Sequence, residues 1–127
     1  MSRMRVLFVD DSPIQIDAFR RALAGCDYDV VTALDTAQAV FAAQQAPVDF
    51  AIVDYQLLGE ERGDACVREL LACSKHTRYF LYTTDSDAFR RYRELGFDGV
   101  LMLKGKSSVR SQVETIARSI ARMRPTD

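Results

Sequence analysis

Two short apolar runs of this chain end on carboxylates. "RVLFVDDSP" leads four apolar residues into two adjacent acids, Asp10 and Asp11, and "FAIVD" ends on Asp54. Two further runs end on a hydroxyl and an ammonium: Thr83 in "YFLYTT" and Lys104 in "VLMLK". A lone acid after a strand is ordinarily a turn residue or a cap. The set is more specific. At about 4 Å and an effective dielectric near 20, each like-charge pair costs roughly 4 kcal/mol. Three clustered carboxylates therefore require a cation, or some must protonate. A ligand set of oxygens alone selects a hard ion such as Mg²⁺. An ion held by few carboxylates keeps open positions, and those suit a phosphoryl group.

The rest of the composition narrows the chemistry. His76 is the only histidine, and the three cysteines, Cys26, Cys66 and Cys73, are scattered without a C-x-x-C. Zinc ligation and Ser-His or Cys-His nucleophilic catalysis are thereby disfavoured. The cysteines read as small half-buried thiols, and His76, in "CSKHTR", as a solvated loop residue. The net charge of -1 gives no hint of nucleic acid or an anionic membrane. No apolar run approaches the roughly 18 residues of a membrane span, and the N-terminal apolar stretch is too short for a signal peptide. A cytoplasmic protein is expected.

What must position these groups is an alternation of strands and helices. "RVLFVD" is the first strand, and "SPIQIDAFRRALAG" a helix with Ser12 as N-cap, Pro13 at its first position, an Ile16/Phe19/Leu23 face and Gly25 as its stop. "YDVVTAL" is a second strand, polar enough for a sheet edge. "DTAQAVFAAQQ" is a helix capped by Asp35, with Ala37, Val40, Phe41 and Gln44 on one face. "FAIVD" is strand three, followed by a loop and a helix with Val67, Leu70 and Leu71 on one side. "YFLYT" is strand four, "DSDAFRRYRELG" a helix, "VLML" strand five and "SSVRSQVETIARSIARMR" the last helix. Five β-α units in strict alternation predict an α/β fold, a doubly wound parallel sheet covered on both faces. One domain is expected over residues 1–127, with a core of about 4–123 and a frayed 124–127 tail. In such sheets, ligands bind beyond the carboxyl ends of the strands where strand order reverses. An order of 2-1-3-4-5 brings Asp10, Asp11, Asp54, Thr83 and Lys104 to one rim.

At these residues the chain resembles the receiver domain of response regulators, a (βα)5 flavodoxin-like fold, from Arg5 to about Met123. "VDD" at 9–11, "IVD" at 52–54, "YTT" at 82–84 and "LK" at 103–104 carry the likeness. The resemblance implies that Asp54 is the phosphoacceptor. It implies that Asp11 and Asp10 hold Mg²⁺ together with Asp54 and the backbone carbonyl of Gln56. Thr83 would donate to a phosphoryl oxygen, and Lys104 would pair with Asp54 and then with the phosphate. The donor would be a phosphohistidine on a histidine kinase or phosphotransfer protein, and the output a downstream protein target. The catalysis would be the chain's own phosphorylation and dephosphorylation and no more. A homodimer through helix four, strand five and helix five is a further possibility. A stand-alone receiver is expected, with no DNA-reading element and no membrane contact.

Four features depart from the family pattern. Counted from Gly99, the usual lysine position is Leu103, so Lys104 is one residue late and Lys106 is the alternative. Gly105 stands where a proline is common. The loop "DYQLLGEERG" has Leu58 at a customary proline and one residue more than usual before Gly63. Val100 stands at the position of the switch aromatic, with Tyr82 and Phe97 nearby. Gln56 and Asp85 occupy the two positions that tune dephosphorylation in the family. The rival reading is a degenerate receiver acting as a phosphorylation-independent interaction module. A flavodoxin-like cofactor binder is disfavoured because "DDSP" would repel an anionic phosphate. A haloacid-dehalogenase-type phosphatase would space its two acids by one residue.

Overall fold

The computed structural model describes residues 3–54, 63–82, 87, 90–101, 111, 113–115 and 117–118. Its elements are β1 (Met4–Val9), α1 (Pro13–Ala22), β2 (Tyr28–Ala33), α2 (Thr36–Gln45), β3 (Phe50–Asp54), α3 (Gly63–Cys73), β4 (Arg78–Tyr82) and β5 (Gly99–Leu101). The strands form one parallel sheet in the order β2-β1-β3-β4-β5, as the alternation predicts. Residues 111, 113–115 and 117–118 are helical. Asp87 and Arg90 are also helical, whereas residues 91–96 form hydrogen-bonded turns. No described helix is long and apolar enough to cross a membrane.

The period of two along each strand divides the core between the faces of the sheet. Leu7, Val9, Ala51, Val53, Tyr79 and Leu81 pack with Ala39, Ala42 and Ala43 of α2 and with Cys66, Val67 and Leu70 of α3. Val6, Phe8, Phe50 and Ile52 pack with Phe19 of α1, with its C-cap Leu23 and with Val113 and Ala117. Phe8 stacks on Phe19 with ring centroids 4.1 Å apart. The helix starts follow the expected chemistry. Ser12 Oγ accepts from the Gln15 N–H at 3.4 Å, and Asp35 Oδ1 from the Gln38 N–H at 2.8 Å. Beneath the sheet, the Arg5 guanidinium donates to the Ala42 and Ala46 carbonyls at the end of α2, groups with no helical partner of their own.

Two helix faces differ from expectation. α2 buries Thr36, Ala39, Ala42 and Ala43, while Ala37, Gln44 and Phe41 are exposed and Val40 is half-buried. A stripe of small side chains lets the helix sit close to the sheet, which the bulk of Phe41 would prevent. On α3, Cys66, Val67 and Leu70 are buried and Leu71 is exposed on the flank. The cysteines span three environments: Cys66 buried, Cys26 half-buried and Cys73 exposed. His76 lies exposed in a turn, as expected.

One glycine has a packing reason. A Cβ on Gly99 would stand 2.8 Å from two ring carbons of Phe80, its register partner on β4. The Phe80 ring is itself set edge-on against Phe50. Gly99→Ala is therefore expected to lose about 1–3 kcal/mol through overpacking. Urea unfolding would show this as a lower midpoint at unchanged slope.

Candidate functional site

Strand register builds the site. Val9 pairs with Val53, so Asp10 and Asp54 follow side by side at the carboxyl edge of two central strands. Asp11 is next in the chain. Asp10, Asp11 and Asp54 each offer a carboxylate oxygen, and these oxygens lie within 4.8 Å of one another. Asp10 is 2% exposed, whereas Asp11 and Asp54 are half-buried. The Asp10 N–H donates to the Ala33 carbonyl at the end of β2, at 3.0 Å. Its Oδ1 accepts from the Ser12 N–H at 2.9 Å. Ser12 thus fixes the acid as well as capping α1.

Burial pushes the Asp10 carboxyl above its ordinary range. The Ser12 N–H opposes this without cancelling it, and the neighbouring Asp11 charge adds to the rise. The buried Asp10 charge is thus not fully offset by its hydrogen bond. Octahedral Mg²⁺ holds its oxygens at about 2.0–2.1 Å, which sets them roughly 3–4 Å from one another. Three carboxylate oxygens within 4.8 Å fit such an ion, and their hardness as donors matches its own.

Aromatic side chains lie on the sheet face that α1 covers, beside the cluster. Asp54 is the register partner of Tyr82. β1 and β4 flank β3 and so stand two strand spacings apart, about 9.5 Å. Yet the Phe8 and Tyr82 rings meet edge to face with centroids 5.7 Å apart. The two rings therefore lean toward each other across β3. The Tyr82 hydroxyl donates to Gln15 Oε1 on α1 at 3.4 Å. Burial pushes the Tyr82 phenol up to about 12, with the Asp10 and then the Asp54 charge adding to the rise.

The structure thus brings together Asp10, Asp11 and Asp54 of the expected set. Gln56, Thr83, Asp85, Lys104 and its alternative Lys106 lie outside the described residues, as does most of the proposed helix four–strand five–helix five surface. Where that surface is described, Arg90 and Arg91 pair with Asp87, and Arg91 also with Glu94. Phe97 is a core residue. Sequence reasoning left Tyr82 without a place and did not foresee Gln15. Strand parity was the available signal for Tyr82, which shares the face of Phe80, Phe50 and Ile52.

The model of the response regulator receiver domain matches residues 6–112 of the sequence. The chain belongs to this family. It is a receiver domain of two-component signalling, and its solved neighbours share its fold. The chemotaxis protein CheY4 of Vibrio cholerae is 25% identical, with a TM-score of 0.74 over 94% of this receiver and 98% of that chain. A CheY-like receiver protein from Methanospirillum hungatei is 17% identical, with a TM-score of 0.79 over 95% and 96% of the two chains. The response regulator TrrA of Thermotoga maritima, solved in complex with Mg²⁺-BeF, is 20% identical, with a TM-score of 0.76 over 92% and 98%. No curated protein matches the sequence.

Proposed function

We propose that this receiver accepts a phosphoryl group on Asp54 from a phosphohistidine donor, in a Mg²⁺-dependent reaction, and signals through a changed partner-binding surface. The observation that carries the reading is the meeting of Asp10, Asp11 and Asp54 at the end of two neighbouring strands. A solved relative of the same fold was captured with Mg²⁺-BeF, which supports the same chemistry here. The donor would be a histidine kinase or a phosphotransfer protein, the output a downstream protein, and the compartment the cytoplasm.

The residues divide the work. An Asp54 oxygen attacks phosphorus as the P–N bond to the donor imidazole breaks, giving an aspartyl phosphate and a free histidine. A carboxylate nucleophile carries no proton to remove in its ionised form, so no general base is required. Asp10, Asp11, Asp54 and the Gln56 carbonyl would hold Mg²⁺. When bound, the ion would supply positive charge to offset these acids and the phosphoryl group. Ser12 keeps Asp10 aimed through its N–H. Thr83 would donate its hydroxyl to a phosphoryl oxygen. Lys104, or Lys106 in its place, would balance the remaining charge.

Beryllofluoride and acetyl phosphate, each with and without Mg²⁺, test this. The expected result is a stoichiometric adduct only with the metal, seen by fluorine NMR and intact mass. No adduct from a folded protein would defeat the reading and leave a phosphorylation-independent interaction module.

A further inference from the structure

Tyr82 is the register partner of Asp54, and the chemistry above does not use it. We propose that Tyr82, held to Gln15, is a positioning residue that walls Asp54 on its α1 side and keeps water from that flank of the phosphorylated acid. The inference rests on the phosphoacceptor reading and adds a residue to it.

The geometry carries the argument. A side chain on β4 has no reason of its own to reach β1 or α1, because β3 lies between. The Tyr82 ring nevertheless meets Phe8 of β1 edge to face, and its hydroxyl meets Gln15 of α1. A ring that spans from β4 to α1 must pass over the last residues of β3, where Asp54 is its register partner. It is fixed at three points: the strand below, Phe8 at its edge and Gln15 at its tip. Phe8 in turn is held by its stack on Phe19 of α1. The wall is thus braced against a buried aromatic pair.

The consequence follows from acyl phosphate chemistry. An aspartyl phosphate is lost when water attacks phosphorus and the Asp54 carboxylate leaves, giving inorganic phosphate and the original acid. Excluding water from one flank slows this step. A fixed wall therefore sets lifetime as well as position. The ring supplies the bulk, and the Gln15 bond keeps it in place.

Four variants separate these parts: Tyr82→Ala removes the wall, Tyr82→Leu keeps apolar fill without the span, and Tyr82→Phe and Gln15→Ala each remove only the bond. Two measurements are made well below each variant's melting temperature. The first is the half-life of the Asp54 phosphate after loading with acetyl phosphate and Mg²⁺. It should fall about tenfold in the Ala and Leu variants and about two- to threefold in the other two, by loss of water exclusion. The second is modification of metal-free protein by a water-soluble carbodiimide, read by peptide mass. Labelling at Asp54 should rise in Tyr82→Ala and Tyr82→Leu while the exposed Asp17 is unchanged. Unchanged Asp54 labelling in a folded Leu or Ala variant overturns the wall. So does a half-life within twofold of the parent in both. If labelling rises but the parent protein takes no phosphoryl group, the wall stands and the phosphoacceptor reading falls.

Discussion

Asp54→Asn is expected to lower phosphoryl uptake by at least about 10³-fold, because an amide oxygen is neither anionic nor nucleophilic enough to attack phosphorus. The substitution changes little else. Asparagine is nearly isosteric, and the register that places position 54 beside Asp10 is made by the β3 backbone with Val53 fully buried. It also removes one of three clustered negative charges. The variant should therefore fold at least as well as the parent, which separates lost chemistry from lost structure. Intact mass after acetyl phosphate and Mg²⁺, beside a thermal melt of the same sample, measures both. A folded Asp54→Asn protein that still takes one phosphoryl group would place the acceptor on another acid. Peptide mapping would show which one.

The acid cluster was legible in the sequence because its cause is one-dimensional. Apolar runs of strand length that end on Asp10 and Asp54 must bring those acids to the same edge once the strands are parallel neighbours. The alternation of elements supplied the parallel sheet, and the polar Asp29 and Thr32 marked β2 as its edge. The face of α2 was misread for a physical reason. Bulk argues for burial in a periodicity count, so Phe41 outweighed Ala39, Ala42 and Ala43. In a crossover helix lying close to a sheet, small residues bury and the large one is displaced outward. Tyr82 escaped for a different reason. Strand parity gives its face, but a ring that crosses a neighbouring strand to reach Gln15 is a three-dimensional event with no sequence period. The placement of Lys104 turns on local backbone at the end of strand five, where one residue of shift reverses the face, and counting from Gly99 cannot supply that geometry.

Asp10→Asn is expected to do two opposed things: stabilise the metal-free protein and weaken Mg²⁺ binding. Asp10 is buried, and burial pushes its carboxyl above the ordinary range despite the Ser12 N–H. A carboxyl whose folded value is raised binds more protons in the native than in the unfolded state. Its contribution therefore favours the fold at low pH and is lost as pH rises from about 3.8, its ordinary value, through the folded value. At neutral pH the full penalty is in place. Asparagine keeps an oxygen for the Ser12 N–H, and its amide can donate toward the neighbouring carboxylates. Removing the buried charge should then add about 0.5–2 kcal/mol, in the range typical of relieved functional sites. The gain should be smaller near about pH 4.5 than near about pH 7.5, because protonation relieves the parent at the acid end. The same change withdraws one negative charge from the oxygen set, so Mg²⁺ affinity should fall by about tenfold or more. Melts in chelator at the two pH values, followed by calorimetric titration with Mg²⁺, measure both arms. Added Mg²⁺ should then reverse the order of stability, since a ligand stabilises the protein that binds it more tightly. A variant that is less stable than the parent in chelator at neutral pH would show that the Asp10 charge is compensated within the fold. The cluster's demand for a cation would then rest on Asp11 and Asp54.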